Sequence, residues 1–403
     1  MALPVSSHFQ SKLDSTNPSS QTFVFTFDGT DRTAKVIEIP TIKRDSNQVI
    51  GKDFSIRLEN ASQTFNTFIT SKTNFLKTGT FDFGFATESG TVESIQLYGG
   101  VLQRTDFDET EVTLLFDDRL TKLKDRKIGT STEPVSFVSV NPASMYWAIV
   151  TSYGGLDTTA SSLNTDLDYD SWVRWVQGLE GDQYRVSAHF PGTQVVDAID
   201  KIARITDSTI YAEGDNKLYT LRNSAVGSDT FTLTDSTIVD VSDMTIRADQ
   251  ILNKVDVNIG WNPATNSWES GVVTSQKTGS VSSYGEFQTQ FDDTNVWHTT
   301  SLNGLNLASR ITFRRAEPNI NVKIKTPLTT MAAQLSDEIS VTTNIYSLSN
   351  YNFFLQGYTK DIKNGMVTLE ADEGFSKGGG RLKGFILDVV TFSALDQTYN
   401  PLF

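Results

Sequence analysis

The chain has 403 residues, of which 34 are Lys or Arg and 48 are Asp or Glu, giving a net charge of −14. That balance argues against general binding to a phosphate backbone, where positive charge supplies the affinity, and leaves room only for a local basic patch. With no cysteine there is no disulfide framework and no thiolate metal site.

Aromatic residues make up 11% of the chain, and prolines number 10. This is a globular composition, long enough for roughly two to four domains. Residues 1–20 are polar and Ser-rich, which predicts an N-terminal arm that is flexible or orders against a partner. Met1–Ser6 carry neither a basic region nor an apolar core, so no signal peptide is expected. The longest purely apolar run, Met145–Val150, is far short of the roughly 20 residues of a membrane helix.

From Gln21 the pattern alternates. Phe23, Phe25 and Phe27 fall on one face, and Asp28-Gly29 makes a turn. Phe54, Ile56 and Leu58, then Phe81, Phe83 and Phe85, then Val112, Leu114 and Phe116 repeat the period of two. Such alternation predicts an antiparallel sheet or barrel over residues 21–130, closed by a short charged helix near Asp117–Arg126.

Residues 131–225 differ. "NPASMYWAIVTSYGGL" (141–156) begins with Asn141-Pro142, a good N-cap and first helical residue, and stops at Gly154-Gly155. Tyr146, Ile149 and Val150 share one face of that helix. A Ser/Thr/Asp-rich loop follows, then "YDSWVRWVQ". Next comes a helix with Val195, Ile199 and Ile202 on one face, and a hairpin turning at Gly214-Asp215-Asn216. The expectation is an α+β insert.

Strands resume over residues 226–372, with Val255, Val257 and Ile259, then Val322 and Ile324, then Ile339 and Val341 alternating. "NFFLQGYTKDIKNGMVTLEAD" is a hairpin turning at Asn364-Gly365. Residues 373–403 form a C-terminal extension with Gly378-Gly379-Gly380 and an apolar end that suggests docking.

Candidate chemistry is sparse. His8, His189 and His298 lack metal-ligand spacing and are expected to be structural. Asp166, Asp168 and Asp170 open like a calcium loop. However, Ser171 stands where Gly is needed, and Gln177 where the bidentate Glu belongs. The other reading is a solvated acidic loop, with Asp170 or Ser171 capping a helix over Trp172–Gln177. "SKGGGRLKG" lacks phosphate-loop spacing. Asp117-Asp118 and Asp292-Asp293 could in principle serve a glycosidase, but adjacent strand residues point to opposite faces, so they mark turns. Trp172 and Trp175 lie on one helical face, as core or as a sugar platform. No catalytic, cofactor-binding or metal site is expected, and no cofactor, so an architectural role is the default.

Several stretches, in this order, resemble the central hub proteins of tailed-phage tail tips and baseplates. They are "DFSIRLENASQTF", "IQLYGGVLQRTDFDETEVTLLFDDRLTKL", "NPASMYWAIVTSYGGLD", "VVDAIDKIARITDSTIYAEGDNKLYTL", "ILNKVDVNIGW", "SRITFRRAEPNINVKIKTPLTTMAAQLSDEISVTT" and the final hairpin, spanning about 20–372. One departure is Ser336-Asp337, where the family often has Gly-Asp.

The resemblance implies a mainly β fold of two tail-tube-like antiparallel β-barrels plus a smaller mixed domain. It further implies a homotrimeric, pseudo-sixfold ring in the virion, made in the host cytoplasm. Such a ring closes the tail tube and adapts it to threefold fibre or spike proteins for attachment and genome ejection. The implied partners are the distal tail or tube protein ring, the tape-measure protein, fibre or spike proteins, and DNA passing through the lumen. The competing expectations are a carbohydrate-binding host-adhesion protein and, with less support, a glycan-cleaving tail enzyme.

Overall fold

The computed structural model describes residues 6–13, 21–45, 54–70, 72–86, 92–222, 231–335 and 337–373. The N-terminal arm, expected to be flexible or to order against a partner, contains a helix, α1 (Ser7–Leu13), docked on the chain's own core. Phe9 N–H donates to Ser6 Oγ at 3.1 Å, which caps the helix. The Phe9 ring is fully buried edge-on to Phe85, centroids 5.1 Å apart. Two apolar anchors in a polar stretch are enough to dock it.

Strands β1 (Gln21–Phe27), β2 (Thr30–Asp31), β3 (Val36–Glu38), β4 (Thr41–Asp45) and β5 (Phe54–Glu59) follow. After the short helix α2 (Thr67–Thr70) come β6 (Thr78–Ala86), β7 (Val92–Phe107) and β8 (Glu111–Asp117). All but β4 form one curled antiparallel sheet in the order β2-β1-β6-β7-β8-β5-β3. Its inner face carries the alternating Phe side chains, with Phe25, Phe81, Phe85 and Phe116 fully buried and Phe54 stacked on Tyr98 at 4.3 Å. The charged helix expected after β8 is a 3-10 turn, Arg119–Lys124.

The middle of the chain holds β9 (Lys127–Ile128), β10 (Val135–Val140), α3 (Pro142–Ala148), α4 (Tyr169–Gly181), β11 (Val186–Phe190), β12 (Thr193–Gln194), α5 (Val195–Ile205), β13 (Ser208–Ala212) and β14 (Leu218–Arg222). Asn141 caps α3, accepting from Ala143 N–H at 2.8 Å. A π-turn over Ile149–Tyr153 continues the helix, and Gly155 ends it at φ +64°. Tyr146, Ile149 and Val150 are fully buried, as the helical spacing predicts.

Strands β15 (Phe231–Thr234), β16 (Asp240–Arg247), β17 (Lys254–Asn258), β18 (Trp261–Asn262), β19 (Ser267–Trp268) and β20 (Val272–Gln276) come next. The chain continues with α6 (Thr278–Tyr284), β21 (Gln288–Phe291), β22 (Val296–His298), α7 (Ser301–Arg315), β23 (Asn319–Pro327), β24 (Glu338–Thr343), β25 (Leu348–Asp361) and β26 (Met366–Asp372). The second seven-stranded sheet runs β15-β24-β25-β26-β23-β16, with β4 added to β25. It is antiparallel except at β15–β24, which is parallel. The expected mainly β architecture is present as a curled antiparallel half-barrel and a second seven-stranded sheet, and among the described residues neither strand order returns on itself.

Two differences from the sequence reading matter. Residues 41–45 lie within the first expected barrel but complete the second sheet, with Thr41 opposite Asp361 and Asp45 opposite Gly357. Residues 254–315, expected within a 226–372 barrel, pack instead with the insert. Val255, Val257, Leu307, Ala308 and Ile311 share a core with Ile149, Ile199 and Ile202. Alternation identifies a strand but not the sheet it joins. The other core is continuous from α1 through both large sheets.

Candidate functional site

The most constrained polar constellation joins the two large sheets to the insert. Arg44 on β4 donates to Asp118 at 3.2 Å, and neither side chain exceeds 1% exposure. Its other terminal nitrogen donates to the Glu213 carbonyl at 3.4 Å, and the guanidinium lies over the Tyr98 ring at 5.3 Å. Asp118 also accepts from Leu120 N–H at 2.8 Å, capping the 3-10 turn. The Glu213 carboxylate accepts from Tyr358 Oη at 2.7 Å and from Leu335 N–H at 2.8 Å. Lys360 donates to the Ala333 carbonyl at 2.9 Å, 4.2 Å from the Tyr358 ring centre.

Burial alone would depress the Arg44 pKa, but the charge of Asp118 with Tyr358 and Glu213 outweighs it and the net shift is upward. Burial pulls the Lys360 ammonium down to about 8, opposed by Glu213 and Asp337. The β13–β14 turn reaches β7: Gln96 donates to the Gly214 carbonyl at 2.9 Å. A Cβ on Gly214 would lie 2.4 Å from the Leu97 carbonyl oxygen, so only glycine fits there. Arg44 and Asp118 are paired, Glu213 and Lys360 are held by hydrogen bonds to neutral groups, and all four are solvent-excluded, which specifies a joint between elements, not a place for a substrate.

A second cluster fixes α7. Asp182 accepts from both Arg222 and Arg310, and Asp207 accepts from Arg314. Sequence reasoning singles out none of these residues, nor Arg44, Glu213 or Lys360. The available signal was an Arg at the inward position of the Ile42/Arg44 alternation.

The sequence candidates fall in separate places. Asp166 accepts from Asp157 N–H at 2.8 Å, and Asp168 caps α4, accepting from Ser171 N–H at 2.8 Å. The cap is thus Asp168, two or three residues earlier than the expected Asp170 or Ser171, and Asp170 is exposed. Among the described residues no group of three or more His, Asp and Glu side chains is placed to hold a metal ion. Trp175 is buried and donates to Ser208 Oγ at 2.8 Å. Trp172 donates to the Ala143 carbonyl and packs against Trp147. Both belong to the packing of α4.

His8 lies on α1, and His189 Nδ1 is 3.0 Å from Ser136 Oγ. His298 is fully buried against Tyr184, and burial lowers its pKa to about 3. Asp118 is in the joint described above. Asp293 holds the turn before β22, accepting from Asn295 N–H at 2.7 Å, and pairs with Lys201. Ser336 and Gly378–Gly380 lie outside the described residues. No described helix is long and apolar enough to cross a membrane.

No protein-family model matches the chain, and no curated protein matches it. Its likeness lies in solved structures. The tail protein from Neisseria meningitidis MC58 superposes with a TM-score of 0.57 at 12% identity, covering 88% of this chain and 97% of that one. The 43 kDa tail protein of prophage MuSo2 from Shewanella oneidensis gives 0.52 at 12% identity over 87% and 98%. The prophage tail protein gp18 from Listeria monocytogenes EGD-e gives 0.52 at 10% identity over 93% and 99%. At these identities the likeness is one of fold: the chain is mainly β and has the fold of phage tail proteins, as the order of its sequence motifs suggested.

Proposed function

We propose that this is a non-enzymatic structural protein of a phage tail: the central hub of a tail tip or baseplate. In this reading three copies form a pseudo-sixfold ring that closes the tail tube and joins it to threefold fibre or spike proteins. The observation that carries it is the pair of large sheets within one chain. Two sheets of seven strands each share one apolar core and are pinned by the Arg44–Asp118–Glu213 joint. Three such chains present six sheets around an axis, and closed cyclic symmetry is the usual state of homo-oligomers.

The mixed unit, residues 131–225 with 254–315 packed onto it, then projects from the ring. A net charge of −14 suits a lumen that DNA traverses without adhering. The distal tail ring, the tape-measure protein and the fibres are the partners of such a hub.

The test is assembly. Light scattering is expected to give a mass close to three times 44.6 kDa, and electron micrographs a threefold ring with six peripheral densities. A chain that stays monomeric at every concentration, and is missing from purified tails, overturns the proposal.

A further inference from the structure

Between α5 and the β17–β20–β21 sheet lies a cleft of about 270 Å³. Its walls include Lys201, Asn258, Trp268, Gln290, Asp293 and Trp297. Asn258 and Trp297 are each only 7% exposed. Neither the Asn258 carboxamide nor the Trp297 indole N–H enters a hydrogen bond with the described residues, and neither is sealed from solvent. Both are therefore free to meet a ligand seated in the cleft.

The remaining lining defines the chemistry. Trp268 sits on the tight β18–β19 hairpin and is braced by Trp261, ring centroids 5.1 Å apart. Asp293 is fixed by Asn295 and Val296 N–H groups and paired with Lys201. Arg204 and Asp292 complete the wall, so cationic and anionic side chains are equal in number and select no net ligand charge. An aromatic plate beside amide and carboxylate groups suits a ring with one apolar face and hydroxyls at its rim. The volume lies below the roughly 300–1,000 Å³ of ordinary ligand pockets, which limits the occupant to one ring.

We infer that this cleft binds a single neutral sugar ring, presented as the end of a glycan, with its C–H face on Trp268 and its hydroxyls on Asn258, Gln290 and the Trp297 N–H. The inference is independent of the number of copies in a ring.

Saturation-transfer NMR on the full chain tests it, using glucose, galactose, N-acetylglucosamine and N-acetylgalactosamine at about 10 mM, a level that detects millimolar Kd values. Transfer is expected from at least one sugar, and a glycan array should return glycans ending in that sugar. Trp268→Ala and Gln290→Ala should each weaken binding tenfold or more without moving the unfolding midpoint. Gln290 is exposed, so its loss leaves the fold intact. The inference is overturned by silence from all four sugars, by unchanged binding in both variants, or by tighter binding of sialic acid or glycine betaine than of any neutral sugar.

Discussion

Replacing Arg44 by Met tests whether the buried joint holds the sheets together. Both partners of the Arg44–Asp118 pair are at most 1% exposed. Removing one partner from such a pair costs about 3–5 kcal/mol, because the other charge stays buried without its counter-ion. The lost bond to the Glu213 carbonyl adds about 1 kcal/mol, and the apolar packing of Met offsets a similar amount, so roughly 4 kcal/mol is expected. Arg44→Met combined with Asp118→Leu removes the stranded charge. It still forfeits the cap on Leu120 N–H, worth about 1 kcal/mol. The double variant should therefore be more stable than the Arg44 single variant by about 2 kcal/mol or more. Urea unfolding should be followed by far-UV circular dichroism. The six tryptophans fall between Trp147 and Trp297 and report on the insert side, not on the two sheets. An Arg44→Met variant within about 1 kcal/mol of the parent, or a double variant worse than both singles together, refutes the reasoning.

Three further outcomes follow. Ile149→Asp puts an unpaired charge at a fully buried site and should cost several kcal/mol. Tryptophan fluorescence should show the insert melting first, and unchanged melting would remove the packing role. His298, lowered to about 3 by burial, is neutral in the fold, whereas the unfolded chain takes up a proton below about 6.5. Stability should thus fall as pH drops from 6.5 towards 3, by about 3 kcal/mol at pH 4.5. Urea titrations at pH 7 and 4.5 should show His298→Phe losing much of that slope. Asp82, half-buried on β6, is raised to about 6 by burial, so its charged form is disfavoured in the fold above that pH. Asp82→Asn should stabilise the protein at pH 7.5 by about 1 kcal/mol, the shift being discounted for solvent access, and should lose that advantage below pH 4. An equal effect at both pH values would count against titration of this carboxylate.

Much of the fold is legible in residue order. The Phe-rich alternations locate β1, β6 and β8, Asn141-Pro142 and Gly155 bound a helix, and Asn364-Gly365 turns the last hairpin. The segment "TIKRD" is not legible as a core strand, because Arg44 at an inward position looks like surface until Asp118 is seen across it. Helix α7 is masked in the same way: Arg310 and Arg314 face Asp182 and Asp207, not water, which breaks the apolar stripe. The cleft residues span positions 201–297 on separate elements, and no local pattern gathers them.

The crossing of β4 into the second sheet has a consequence in time. The partner of β4, residues 357–361 of β25, lies some 300 residues downstream of it. At roughly 5–20 residues per second the ribosome needs about 15–60 s to supply it. Meanwhile Arg44 has no Tyr358 beside it, and Ile42 has no sheet to enter. The first sheet can pair from residues 21–117 alone, but the β4 strand threaded between its members cannot. The chain must hold an open strand for most of its synthesis.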